Sequence, residues 1–114
     1  MAGGGIVLVD ELRGESVCGG VVTGLVRVVT DPSAVTDVLP GEILVVPGSH
    51  PEYAIGLMQA SGLICECGGV ISHVCTVALE LGIPCITEVA KATKLLKTSM
   101  RVTLDGDRGV VYGA

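Results

Sequence analysis

The chain has 114 residues, 49% of them apolar, with a formal net charge of −5 and 2% aromatic residues. That length fits one domain, which can bury roughly 60–70% of the surface its unfolded chain exposes. Two aromatic residues, Tyr53 and Tyr112, cannot build a stacking platform for single strands, and seven scattered Lys and Arg argue against a phosphate-tracking surface, so nucleic acid is not an expected partner. The start of the chain has no basic region before a short apolar run, and no segment reaches the ~18 uncharged residues of a spanning helix. A soluble, cytoplasmic protein without a membrane partner is expected. An odd number of cysteines (18, 65, 67, 75 and 85) in an apolar-rich chain argues for reduced thiols rather than a disulfide framework.

In chain order, Ile6–Val9, Val21–Val29 and Glu42–Val46 are runs rich in Val, Ile and Leu whose continuous apolar character predicts strands covered on both faces. A helix is predicted from about Glu52 to Ala60, because Pro51 suits a first turn and Gly62 ends the pattern. Between Ser72 and Leu81 the apolar residues Val74, Val77, Ala78 and Leu81 recur at i, i+3, i+4 and i+7, with Gly82 as a stop and Pro84 beyond it. A third helix is predicted over Ala90–Lys97. Arg101–Asp105 and Val110–Tyr112 read as a closing hairpin around Asp105-Gly-Asp-Arg-Gly109, where Asp105 and Asp107 serve as turn formers rather than catalytic carboxylates. Strands alternating with helices imply an α/β domain with parallel pairing.

The chemically informative stretch is Glu66-Cys-Gly-Gly-Val-Ile-Ser-His73, directly before the strongest helix. Ser72 is placed to cap that helix, which sets His73 on its first turn beside unpaired N–H groups and the positive end of the dipole. Gly68 and Gly69 let a phosphate approach the backbone closely. His73, Thr76 and Glu80 share the polar face. A neutral imidazole there can attack a phosphoryl group, and the helix terminus would stabilise the negatively charged product. The competing reading is that His73 is a solvated residue with no task.

Other clusters compete for attention. Cys65-x-Cys67 with His73-x-Cys75 could form a zinc module, but positions 73 and 75 on a helix point about 200° apart. Cys67 or Cys75 with His73 could form a thiol–imidazole pair, although no orienting group can be assigned. Cys65, Cys75 and Cys85 read more simply as small buried hydrophobes. His50, in Gly-Ser-His-Pro, reads as a loop residue.

Gly68-Gly-Val-Ile-Ser-His73 followed by Val77-Ala-Leu-Glu-Leu-Gly-Ile-Pro84 resembles the phosphohistidine motif of the mobile, or swivelling, domain of phosphoenolpyruvate-utilising enzymes such as phosphoenolpyruvate synthase, pyruvate phosphate dikinase and rifampin phosphotransferase. The likeness extends through Pro40-Gly-Glu-Ile-Leu-Val-Val46, Pro51-Glu-Tyr-Ala and Val102–Tyr112, covering about residues 14–112. It implies a compact β/β/α swivelling fold with mixed, partly parallel sheets. It also implies that His73 carries a phosphoryl group between an ATP-grasp or phosphoenolpyruvate site and a second, acceptor site, with Gly68, Gly69, Ser72 and Thr76 binding the phosphate. No tightly bound cofactor or metal is implied; magnesium and ATP or phosphoenolpyruvate would reside on partner domains or proteins, and the placement of that loop brings His50 near the active surface. The chain departs from the family at Cys65 (usually Thr), Cys75 (Ala), Leu79 (Arg) and Glu88 (Gly). A swivelling domain can also act as a structural subunit that carries no phosphate, and the departures at Leu79 and Glu88 suit that alternative.

Overall fold

The computed structural model describes residues 11–114. The expected strand Ile6–Val9 lies outside them. The described elements run in the order β1 (Leu12–Arg13), β2 (Glu15–Cys18), β3 (Val21–Val28), a 3-10 turn (Pro32–Asp37), β4 (Ile43–Val46), α1 (Tyr53–Gly56), β5 (Gly62–Cys65), α2 (His73–Leu81), β6 (Cys85–Thr87), α3 (Ala92–Leu95), β7 (Arg101–Asp105) and β8 (Val110–Gly113).

The strand order is β1-β8-β7-β3-β4-β5-β6-β2. Its first and last members are consecutive in the chain, separated only by Gly14, so one short segment pairs with β8 on one side and with β6 on the other. β3 is divided between two kinds of neighbour. Val21–Leu25 pair antiparallel with β7, whereas Val26–Val28 pair parallel with β4. β4, β5 and β6 are parallel to one another, as crossover connections through α1 and α2 require.

Period-two alternation sorts the strand residues between two cores. Ile43, Val45, Ile64 and Ile86 point to the inner core with Val26, Val102, Leu104 and Val111 of the other strands, and Ala92 and Leu96 close it from α3. Leu44, Val46, Leu63, Cys65 and Cys85 point outward, where Val74, Cys75 and Ala78 of α2 and Tyr53 and Leu57 cover them. The layers are therefore antiparallel sheet, parallel sheet and helices, a β/β/α arrangement within a mixed, partly parallel α/β fold.

Four sequence expectations need correction. The run Val21–Val29 is not covered on both faces: Val21, Thr23 and Leu25 are exposed, because this half of β3 belongs to the antiparallel sheet with only one face on the core. The helices expected over 52–60 and 90–97 shrink to four residues each, with the chain after Gly56 continuing in three-residue turns such as Met58 N–H to Ile55 O. Strands β1, β2, β5 and β6 and the turn at Pro32–Asp37 carry too few residues to show a period. On α2, Cys75 replaces Leu81 in the buried stripe, and Val77 is half-buried. The hairpin stands as expected. Asp105 Oδ1 accepts from the Asp107 and Arg108 N–H groups at 3.1 and 3.0 Å, while Asp107 Oδ1 accepts from Gly20 N–H at 3.1 Å and ties the turn to the start of β3.

Candidate functional site

Three adjacent parallel strands deliver their loops to one edge. Pro47–His50 follows β4, Glu66–Ser72 follows β5 and Glu88–Lys91 follows β6. Ligand sites of parallel sheets characteristically lie at these carboxyl ends. The β5 loop is tied down at several points. Cys67 Sγ donates to Pro47 O at 3.0 Å, Cys65 Sγ donates to Cys67 O at 2.8 Å, and Ser72 N–H donates to Gly69 O at 3.2 Å. Glu66 Oε1 accepts from Thr93 N–H and Oγ1 at 2.9 and 2.7 Å, fastening the loop to α3; these bonds, helped by Lys94, hold its carboxyl below the usual range.

Gly68 and Gly69 have φ values of +128° and +70°; the first requires a residue without a Cβ, and the second is left-handed backbone that glycine adopts without strain. The bare backbone leaves Gly68 against Ser72 and Ser49: an added Cβ would lie 3.4 Å from Ser72 Cβ and 3.7 Å from Ser49 N. His73 follows as the first residue of α2 and is exposed. Thr76 and Glu80 are exposed on the same helix, whereas Cys75 is fully buried on the opposite side. Thus His73 and Cys75 are not brought together, and the thiol–imidazole pairing through Cys75 is corrected. Among the described residues, no group of three His, Cys, Asp or Glu side chains is arranged to hold a metal ion.

The expected role of Ser72 changes. Its backbone occupies the cap position, at φ −66° and ψ 155°, but its side chain makes no capping bond and its Oγ is buried without a partner. The cap comes from Ser49, whose Oγ accepts from Val74 N–H at 3.3 Å. The Ser72 hydroxyl is buried beside the glycine loop, 3.5 Å from where a Cβ on Gly68 would lie. Thr76 Oγ1 donates to Ser72 O at 3.0 Å, which commits its proton to the backbone. Ser49, missed by sequence reasoning, therefore joins Gly68, Gly69 and His73 at the loop junction; no local signal marks it, because its partner Val74 lies 25 residues away. His50 in that turn has a local task, with Nδ1 accepting from Glu52 N–H at 3.1 Å and its ring meeting Tyr53 edge-on at 5.8 Å.

Glu88 is left-handed at φ +60°, a conformation that disfavours a side chain, and its Oε1 lies 3.9 Å from where a Cβ on Gly69 would be. An acidic group thus borders the glycine loop. Leu79 is exposed further along α2.

Parallel strands covered by α2, a left-handed glycine pair and an exposed histidine at the helix start define a histidine-bearing β/β/α domain. Residues 38–109 match the family described as the mobile domain of PEP-utilising enzymes, and the chain belongs to that family. Phosphoenolpyruvate synthase of Pyrococcus furiosus is 41% identical over 101 residues, covering 89% of this chain and 12% of that protein. The chain therefore spans about an eighth of that relative's length. Among solved structures, the holo-form of Thermococcus kodakaraensis aconitase X superposes with a TM-score of 0.70 at 24% identity, covering 90% of this chain and 97% of that one. An Enzyme I structure, described as nEIt, gives a TM-score of 0.58 at 23% identity over 68% of this chain and 32% of that chain. These two likenesses concern the fold alone.

Proposed function

We propose that this domain is a phosphocarrier in which His73 accepts a phosphoryl group from an ATP-grasp or phosphoenolpyruvate site and passes it to an acceptor at a second site. The observation that carries the reading is the exposed imidazole at the first position of α2, next to the Gly68-Gly69 loop. In the first step the His73 Nε2 lone pair forms the N–P bond as the bond from phosphorus to its leaving oxygen breaks. In the second, an acceptor oxygen attacks phosphorus and the N–P bond breaks, returning the neutral ring. Backbone N–H groups of the glycine loop and helix start offset the phosphoryl charge. Ser49 Oγ, which accepts from Val74 N–H, keeps its own proton for a phosphoryl oxygen. Gly68 and Gly69 supply backbone contacts, while Ser72 and Thr76 act through the backbone they shape.

ATP or phosphoenolpyruvate and magnesium belong, in this reading, to partner domains or proteins, because magnesium prefers carboxylate and phosphate oxygens. The setting is cytoplasmic; among the described residues no helix is long and apolar enough to cross a membrane. The alternative of a structural subunit draws on the Glu88 carboxylate beside Gly69 and on the exposed Leu79. Incubation with phosphoenolpyruvate or ATP and magnesium, together with the phosphoenolpyruvate- and ATP-binding domains of a phosphoenolpyruvate synthase, separates the two. Intact-mass measurement is expected to show one acid-labile phosphoryl group on the wild-type chain and none on His73→Ala. A wild-type chain that stays unmodified with partners active on their own carrier would favour the structural reading.

A further inference from the structure

Below the polar face of α2, the outer core holds three buried sulfurs, Cys65, Cys75 and Cys85, each with no exposed surface. Cys85 Sγ lies 4.0 Å from Cys75 Sγ. Cys18, half-buried on β2, stands opposite Cys85 in the β2–β6 register, so the sulfur cluster reaches toward the surface along that strand pair. Two buried hydroxyls, Ser72 Oγ and Thr87 Oγ1, have no partner in hydrogen-bonding geometry, although both lie near Cys75. Thr87 itself is fully buried. Unpartnered hydroxyls in a dry core are unusual and call for an explanation.

We propose that Cys75 and Cys85 form a peroxide-sensitive thiol pair whose disulfide tethers the first turn of α2, and with it the position after His73, to the start of β6. The sulfurs must close from 4.0 Å to the bonding distance of about 2 Å, a change that side-chain rotation can supply. Cys75 is the attacking sulfur. The neighbouring thiols of Cys65 and Cys85, the latter donating to Cys75 Sγ at 4.0 Å, pull the Cys75 thiol down, and contact with Cys75 together with burial pushes Cys65 and Cys85 up. Cys85 rather than Cys65 is the resolving partner, because Cys65 Sγ already donates to Cys67 O at 2.8 Å.

The chemistry balances with a hydroperoxide as the two-electron oxidant. The Cys75 thiolate attacks one peroxide oxygen and the O–O bond breaks; the departing oxygen takes up the Cys75 proton and, with hydrogen peroxide, leaves as water. Cys75 is then a sulfenic acid. Cys85 sulfur attacks Cys75 sulfur, the S–O bond breaks, and the oxygen leaves as a second water carrying the Cys85 proton. Two thiols have become one disulfide and the peroxide has been reduced. A thiol reductant reverses the change.

The test treats the reduced 114-residue chain with stoichiometric hydrogen peroxide, alkylates it in denaturant and maps peptides without reduction. The expected result is that two of the five cysteines resist alkylation, that the linked peptides contain Cys75 and Cys85, and that dithiothreitol restores all five. Cys67→Ala and His73→Ala are expected to form the same bond, whereas Cys85→Ala is expected to give no linked peptides and to hold Cys75 as a sulfenic acid that dimedone traps. Full alkylation of the treated wild type, a linkage involving any other pair, or a modification that dithiothreitol does not reverse would overturn the proposal. The wild-type map decides even if Cys85→Ala does not fold, and its readout is independent of phosphoryl transfer.

Discussion

The parallel and antiparallel halves of the molecule do different work with similar residues. In the parallel half, β4, β5 and β6 are buried on both faces, so their side chains are spent on packing and chemistry is left to the loops at their carboxyl ends. In the antiparallel half, the first part of β3 alternates between core and solvent, and the turn of the β7–β8 hairpin is consumed in structural bonds. Two loop glycines differ in the same sense. Gly106 in that turn is packed so closely against Cys18 O that a Cβ could not be added without moving backbone, whereas Gly69 has only the Glu88 carboxylate near its empty position. Close approach closes the hairpin turn, whereas the loop backbone at Gly69 is left open.

The largest separation of the two halves is expected from Leu104→Ala, which empties a fully buried site in the inner core. A loss of about 3 kcal/mol in chemical denaturation should accompany unchanged phosphoryl uptake by the folded fraction. A matching loss of uptake per folded molecule would show that the halves are coupled.

Next in size is Glu42→Gln. Arg27 Nε and Nη2 donate to Glu42 Oε1 and Oε2 at 2.9 and 3.0 Å, and Leu39 N–H donates to Oε1 at 2.7 Å. Burial opposes the charged carboxylate, but the guanidinium and the amide outweigh it and hold Glu42 below the usual carboxylate range. The substitution should cost about 2 kcal/mol. Because the folded-state value is depressed, the stabilisation is fully present above the unfolded value of about 4.3 and is lost as pH falls through the folded value. Denaturation midpoints of wild type and variant should therefore converge on acidification below that range; a constant gap would remove the ion pair from the explanation.

Ser49→Ala should cost about 1 kcal/mol through loss of the α2 cap, while Ser72→Ala should stay within about 0.5 kcal/mol because its hydroxyl makes no capping bond. The reverse ranking would return the cap to Ser72. The smallest effect is a gain. Glu88→Gly relieves a left-handed side chain but adds backbone freedom to the unfolded state, for a net stabilisation of about 0.5 kcal/mol. It should also speed phosphoryl uptake by removing a carboxylate beside the loop; slower uptake would assign Glu88 a positive role there.

Much of this was legible in the sequence where local chemistry decides structure. The Asp-Gly hairpin and the stop of α2 at Gly82 follow from turn and cap preferences, α2 starts at Ser72-His73 as expected although Ser49 supplies the capping bond, and the burial of Cys65, Cys75 and Cys85 follows from their apolar neighbours. What escaped was decided at a distance. β5 and β6, four and three residues long, exist because parallel neighbours complete their hydrogen bonds. The Ser49 cap joins positions 25 residues apart, a contact no local pattern encodes. The burial of the Ser72 hydroxyl likewise depends on its packed surroundings, and beneath α2 Cys75 takes the place a periodic reading gave to Leu81.

The most direct measurement of the central claim is phosphorus NMR of the chain held in steady state with phosphoenolpyruvate and the phosphoenolpyruvate-binding domain of a phosphoenolpyruvate synthase, followed by removal of the donor and addition of acceptor. A single phosphoramidate resonance that is absent from His73→Ala, persists without donor and disappears on adding acceptor is the result expected for a carrier. A resonance that survives in His73→Ala, or no resonance while the partner turns over its own substrate, would contradict the account.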